Sequence, residues 1–313
     1  MIEVDAISKW YGDHQALHEV GFCVERGTVT GLLGPNGAGK SSILRIIAGV
    51  YRPDAGDVRI SGVSVTEDPL SARERIGYFP ESAPLYPELT AEEHLRFAAQ
   101  MRGITGSAVD EAVGKVAEQC GIRNELATTC GRLSRGFRQR VCLAAALAGD
   151  PSVIVLDEPM SGLDPKQTIE IRELLRSLAE SRAILFSTHV LAEAETVCDR
   201  FVILHGGRVV ADDSVAALHS LQRFVSVKLA AAAGPAQIES LQMFATLRRC
   251  SEDGCSLDLV LDEGTTTDRV FDWAVEAGAR LQALVPAERS LEYLFAHVTG
   301  RVNGQVSVRT DEP

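Results

Sequence analysis

The sequence predicts an α/β fold in which a mainly parallel sheet carries helices on both faces, followed by a smaller α+β unit. Three observations carry this. Short runs of β-forming apolar residues, Val153–Leu156, Ala183–Phe186 and Phe201–Leu204, alternate with helical segments, as expected of strands buried on both faces. A glycine-rich turn, Gly34 to Gly39, joins a strand to a helix. Beyond about residue 220 the order changes to strand, helix, strand, strand, helix, strand, the βαββαβ order of a ferredoxin-like unit.

The elements follow in order. Ile2–Val4, Gly21–Val24 and Val29–Leu33 read as strands. Ser41–Ala48 is a short apolar helix closed by Gly49. Pro53-Asp54-Ala55-Gly56 turns the chain into the strand Val58–Ile60, and Ile76–Phe79 is another strand. The stretch from about 90 to 148 is helical. Thr90 with Glu93 three residues on forms a capping box that opens a helix over Ala91–Met101, and further helices span about 108–120 and 136–148. Asp164-Pro165 starts a helix that runs to about Ala179, with Asp as cap and Pro at the first helical position. The C-terminal unit reads as strand 224–229, helix 236–243, strands 245–249 and 257–261, helix 267–277, strand 281–285 and an added helix over about 290–298. The polar tail, 301–313, is expected to fray.

Composition narrows the class. Of the 313 residues, 45% are hydrophobic and 24% charged, a balance that supplies a sizeable core and excludes a disordered or collagen-like chain. The net charge of -12 argues against a nucleic-acid partner, because phosphate backbones are bound through Lys and Arg. The N-terminus lacks a basic segment followed by an apolar one, so no signal peptide is expected, and no window is apolar enough to span a bilayer alone. The seven cysteines form no CxxC pair and read as reduced thiols. Cys250 and Cys255 lack the further ligands that a zinc site needs.

Two sites carry chemistry. Gly34-Pro35-Asn36-Gly37-Ala38-Gly39-Lys40-Ser41 matches GxxxxGK[ST] between a strand and a helix. Its glycines let several backbone N–H groups point at one anion, and the helix N-terminus adds partial positive charge. Lys40 is expected to reach the β- and γ-phosphates and Ser41 to ligate Mg²⁺, with Ser42 beside them. The run Val153–Leu156 ends in Asp157 and Glu158. At the carboxyl edge of a parallel sheet these carboxylates face the phosphate loop. Asp157 suits Mg²⁺, and Glu158 suits the attacking water, which it orients or deprotonates.

A third element, Leu133-Ser134-Arg135-Gly136-Phe137-Arg138-Gln139, leads into a helix. With it the chain resembles the ATP-binding subunits of ABC transporters. Tyr11, Gly34–Ser41, Tyr78-Phe79-Pro80-Glu81, Leu133–Gln139, Val153–Glu158, Ser161-Gly162-Leu163-Asp164 and Ser187-Thr188-His189 come in that family's order over residues 1–220. The resemblance implies a P-loop NTPase of the ABC type with a mixed sheet and a helical subdomain in 1–220, and an accessory domain in 221–300. It implies ATP and Mg²⁺ as ligands. Tyr11 would stack on adenine, Ser134 and Gly136 would contact the γ-phosphate bound on the opposite subunit, Asp164 would sit at the dimer seam, and His189 would sense the γ-phosphate. Two copies, most simply a homodimer, would close head to tail around two ATP molecules and reopen on hydrolysis. A separate integral membrane permease subunit would hold the chain at the cytoplasmic face of the membrane, docking near Pro84–Thr90.

The chain departs from the family twice. Glu81 stands where Gln is usual; either side chain offers an oxygen to Mg²⁺ or water. In the signature, Arg135 and Phe137 replace a Gly and the Gln, and the sequence leaves open whether Arg135 adds charge near phosphate or is solvated. Both departures, with the segment after Pro80 and Glu288-Arg289-Ser290-Leu291-Glu292, resemble the ATPases paired with ABC-2-type membrane subunits, which are mostly exporters. The competing expectations are a soluble ABC-type ATPase outside transport and a regulatory nucleotide-binding module.

Overall fold

The computed structural model describes residues 1–82, 84–217, 224–251, 253–262, 264–286 and 295. The chain divides into two compact units, Met1–Asp213 and Ser214–Pro313. The boundary expected near 220 and the tail 301–313 lie outside the described residues, as does the helix expected over 290–298 apart from Phe295.

The first unit runs β1 (Ile2–Tyr11), β2 (His14–Val24), β3 (Val29–Leu33), α1 (Lys40–Ile47), β4 (Ala55–Ile60), β5 (Val63–Ser64), α2 (Pro69–Glu74), β6 (Ile76–Phe79), α3 (Ala91–Met101), α4 (Ala108–Gln119), α5 (Arg135–Leu147), β7 (Val153–Asp157), α6 (Pro165–Ala179), β8 (Ala183–Thr188), α7 (Leu191–Val197), β9 (Arg200–His205) and β10 (Arg208–Ser214). It is built on two sheets. An antiparallel one has the order β2-β1-β4-β5, and a six-stranded one has the order β10-β9-β3-β8-β7-β6, with β6, β7, β8, β3 and β9 parallel. The six-stranded sheet is therefore mainly parallel and stands beside an antiparallel one. Strands β3, β7 and β8 are buried at every position, which explains their mainly apolar sequences. Helix α1 lies in the core that joins the sheets, where Ile43, Leu44, Ile46 and Ile47 meet Ile2, Leu17, Val155 and Leu185.

Local signals act as they read. The Thr90 hydroxyl accepts from Glu93 N at 3.2 Å and the Glu93 carboxylate accepts from Thr90 N at 2.8 Å, so the capping box opens α3 at Ala91. Asp164 caps α6, accepting from Gln167 N at 2.9 Å, with Pro165 at the first position. Helices α3, α4 and α5, which come between β6 and β7 in the chain, pack on one another, and α5 also packs on β6.

Strands β1 and β2 are longer than their alternation shows. The β1–β2 register shifts between Val4 and Ile7, and Ala6 and Glu19 take positive φ, 45° and 48°. Such bulges break the period of two on which the reading depended. Helices α2 and α7 and strands β5 and β10 also appear where no element was expected; β10 presents no buried position along its length.

The second unit runs β11 (Phe224–Leu229), helix Pro235–Leu241, β12 (Ala245–Cys250), β13 (Ser256–Leu261), helix Thr267–Glu276 and β14 (Leu281–Pro286). Its sheet order is β12-β13-β11-β14, with all pairs antiparallel. Strand β13 is thus inserted between β11 and β12, the split βαβ arrangement of a ferredoxin-like fold. Val225, Val227, Leu257 and Leu259 pack against Leu241, Val270 and Trp273.

Candidate active site

The parallel strands deliver the site from their carboxyl ends. The phosphate loop follows β3, Glu81 comes shortly after β6, Asp157 and Glu158 end β7, and Thr188-His189 end β8. The register sets Asp157 beside Ser187 and Leu33 beside Thr188.

Only glycine fits two loop positions. A Cβ on Gly34 would stand 2.6 Å from the Leu204 carbonyl oxygen, and one on Gly39, at φ 106°, would stand 2.6 Å from Leu17 Cδ2. The loop borders a cleft of about 490 Å³ lined by Tyr11, Pro35, Asn36, Gly37, Ala38, Gly39, Lys40, Ser41, Ser42, Glu81 and Glu158, with Ala16. A cradle of backbone N–H groups at the head of α1 fits a polyphosphate.

Lys40 is buried, and its Nζ donates to the carbonyls of Gly34 at 2.7 Å and Pro35 at 3.3 Å. Burial lowers its pKa from the ordinary lysine value, against the pull of Glu158, Asp157 and Glu81. Asp157, 1% exposed, accepts on Oδ1 from Ser187 Oγ at 2.7 Å and Ser41 Oγ at 3.3 Å. The hydroxyl–carboxylate pair of Ser41 and Asp157 suits a hard cation such as Mg²⁺, which takes few protein oxygens and completes its shell with phosphate and water. Among the described residues no group of three or more His, Cys, Asp and Glu could hold a metal ion.

Glu158 adopts a left-handed backbone, φ 51°, and its N–H donates to Ser187 Oγ at 2.9 Å. Its carboxylate oxygens both lie 3.0 Å from His189 Nδ1. An ionised carboxylate only accepts, so this bond needs the proton on Nδ1. Tyr11 is exposed at the rim; its hydroxyl donates to Ser42 Oγ at 3.2 Å and its ring meets Tyr51 edge-on at 6.3 Å.

Ser134, Gly136 and Asp164 do not line this cleft. Ser134 caps α5, accepting from Phe137 N at 3.3 Å. Gly136 lies against α6, where an added Cβ would stand 2.7 Å from the Gln167 side chain. Arg135 is engaged: its Nη2 donates to Ser161 O at 2.9 Å, and Gln139 Nε2 donates to the same carbonyl at 3.1 Å. The signature helix is thereby tied to the turn between Glu158 and Asp164.

Sequence reasoning missed Tyr51 and Ala16, and it named Ser187 only as part of Ser187-Thr188-His189, without a role. Ser187 carried one usable signal, a hydroxyl at the end of a buried strand just before His189.

Comparison with known proteins places the chain in a family. The family described as "ABC transporter" matches residues 17–161. An uncharacterized ABC transporter ATP-binding protein of Bacillus subtilis is 37% identical over 209 residues, 67% of this chain and 69% of that protein. Nod factor export ATP-binding protein I of Rhizobium etli is 39% identical over 212 residues, 67% of both chains. A dimeric ATP-binding cassette solved in a post-hydrolysis state with ADP and Pi superposes with a TM-score of 0.63 at 26% identity, covering 69% of this chain and 99% of that one.

Proposed function

The chain belongs to the ABC transporter ATP-binding proteins, and we propose that it energises a multi-subunit exporter whose membrane path is a separate ABC-2-type subunit. It is an ATP hydrolase of the ABC type. One observation carries the reading: Lys40, Ser41 and Glu158 line a cleft with a phosphate cradle at neighbouring strand ends, where Asp157 bonds Ser41 and His189 bonds Glu158.

In this reading the loop N–H groups bind the phosphates and the Lys40 ammonium exchanges the Gly34 and Pro35 carbonyls for phosphate oxygens. Tyr11 stacks on adenine. Ser41 and Asp157, with Glu81, would hold Mg²⁺, which would neutralise phosphate charge. Glu158 orients the attacking water and takes its proton. His189 holds the Glu158 carboxylate and senses the γ-phosphate.

Two copies close head to tail, so that Ser134 and Gly136 of each face the nucleotide held by the other and Asp164 lies at the seam. The N-terminus of α5 favours an anion there. ATP drives closure only by binding the closed state better, and the γ-phosphate supplies that difference. Residues 221–300 serve as an accessory domain outside this chemistry.

The membrane subunit docks beside Pro84–Thr90. No helix of the described residues is long and apolar enough to cross a membrane. A groove of about 450 Å³, lined by Pro84, Leu85, Tyr86, His94, Phe97 and Met101 among others, supports this reading. Tyr86, Phe97 and Met101 are exposed there.

The test is purification of the tagged chain from gently solubilised native membranes, followed by mass spectrometry. A polytopic membrane protein in comparable amount is expected. Recovery only from the soluble fraction would reject the transporter reading.

A further inference from the structure

We propose that Ser187 is a positioning residue for ATP hydrolysis, whose single hydroxyl sets the magnesium carboxylate and the catalytic carboxylate relative to each other. The inference rests on the roles assigned above to Asp157 and Glu158.

Ser187 is fully buried, and the β7–β8 register places it beside Asp157. Its Oγ donates to Asp157 Oδ1 at 2.7 Å and accepts from Glu158 N at 2.9 Å. A hydroxyl has one proton, so the bond to Asp157 commits it and the lone pairs receive Glu158. Each bond has a consequence. Ser187 and Ser41 both donate to Oδ1, which fixes the Asp157 carboxyl. The Glu158 backbone sits in a left-handed conformation that non-glycine residues rarely adopt, and the bond to Ser187 anchors it there. The chain leaves β7 at this point, so the Ser187 hydroxyl takes the place of a strand partner for the Glu158 N–H.

The neighbouring hydroxyl does other work. Thr188 Oγ1 donates to Glu193 Oε2 at 2.8 Å and accepts from Val190 N at 3.0 Å, which shapes the turn that presents His189. The end of β8 thus supplies one hydroxyl to the Asp157 carboxylate and the Glu158 N–H, and the next to its own turn. Apart from Ser41, which answers to the phosphate loop, Ser187 is the described side chain that hydrogen-bonds Asp157, and it bonds Glu158 as well.

The experiment uses the full chain with Ser187→Ala and Ser187→Thr. It measures kcat and KM for ATP across a magnesium titration, Mn²⁺ binding by electron paramagnetic resonance with a non-hydrolysable ATP analogue, and the melting temperature without ligands. Ser187→Ala is expected to lower kcat by about 10- to 100-fold, the equivalent of one hydrogen bond to a charged group. It should also weaken Mn²⁺ binding several-fold, while metal-free nucleotide affinity and melting temperature stay near the parent values. Ser187→Thr keeps the hydroxyl and should restore most of both. If Ser187→Ala keeps kcat and metal binding within about twofold of the parent, the proposal is overturned. Equal losses in both variants together with a lowered melting temperature would overturn it too, because the role is then structural. Asp157→Asn and Glu158→Gln run in parallel. Full turnover in those would defeat the reading of the site itself, whereas their loss beside an unaffected Ser187→Ala would defeat only the inference.

Discussion

The interiors of the two units hold different things. In Met1–Asp213 the buried set includes Lys40, Asp157, Ser187 and Thr188, and among the described residues every non-glycine one with positive φ lies there, Glu158 included. The buried side chains of the second unit, among the described residues, are apolar: Val225, Leu259, Val270, Trp273 and their neighbours. Buried charge and left-handed backbone both oppose folding, so a fold keeps them where they are fully partnered. Lys40 and Asp157 are so partnered, by loop carbonyls and hydroxyls. The contrast locates chemistry in the first unit and packing in the second.

Four substitutions break or sharpen that contrast. Trp273→Ala removes a core side chain and its 2.9 Å bond from Nε1 to Ser240 Oγ. It should destabilise the second unit by about 3–5 kcal/mol in thermal denaturation and leave ATP turnover within about twofold. A collapse of turnover would abolish the division. Glu158→Gln should slow phosphate release by at least ~10²-fold with nucleotide affinity intact, a general base's share of catalysis. Near-normal turnover would take the carboxylate out of the chemistry. Lys40→Ala should weaken ATP binding by about 10- to 100-fold in a fluorescent-nucleotide titration. Because burial lowers the Lys40 pKa, ATP affinity in the parent should fall with rising pH earlier than a solvated lysine would allow. Unchanged affinity in the alanine variant would leave the cradle without its cation. Thr90→Ala is the smallest, about 1 kcal/mol of stability for the lost cap of α3 with hydrolysis unchanged, read from the melting temperature. A larger loss would show that the capping box does more than start a helix.

The legible parts share a cause. The Thr90–Glu93 box, the Asp164-Pro165 start and the unbroken strands β3, β7 and β8 are each settled by a few residues in a row, and the structure keeps their bounds within a residue or two. Asp68-Pro69 carries the same start signal as Asp164-Pro165 and opens α2, with Asp68 Oδ1 accepting from Ser71 N at 3.2 Å; there the signal was present and passed over. Strand β1 was misjudged for a different reason. Its bulge at Ala6 depends on pairing with β2 and β4, and no residue in the run announces it.

The sequence by itself determined the phosphate loop, the carboxylates at the end of β7, the starts of α3 and α6 and the βαββαβ order of the second unit. Each rests on short-range backbone geometry or on the burial of a continuous run. Only the tertiary structure decided that Ser187 reaches both Asp157 and Glu158, that Arg135 and Gln139 hold Ser161, and that Tyr11 meets Ser42. Those contacts join residues some 22 to 31 positions apart in the chain. Their partners are chosen by strand register and helix packing, and a one-residue slip between β7 and β8 would turn the Ser187 hydroxyl to the opposite face of the sheet.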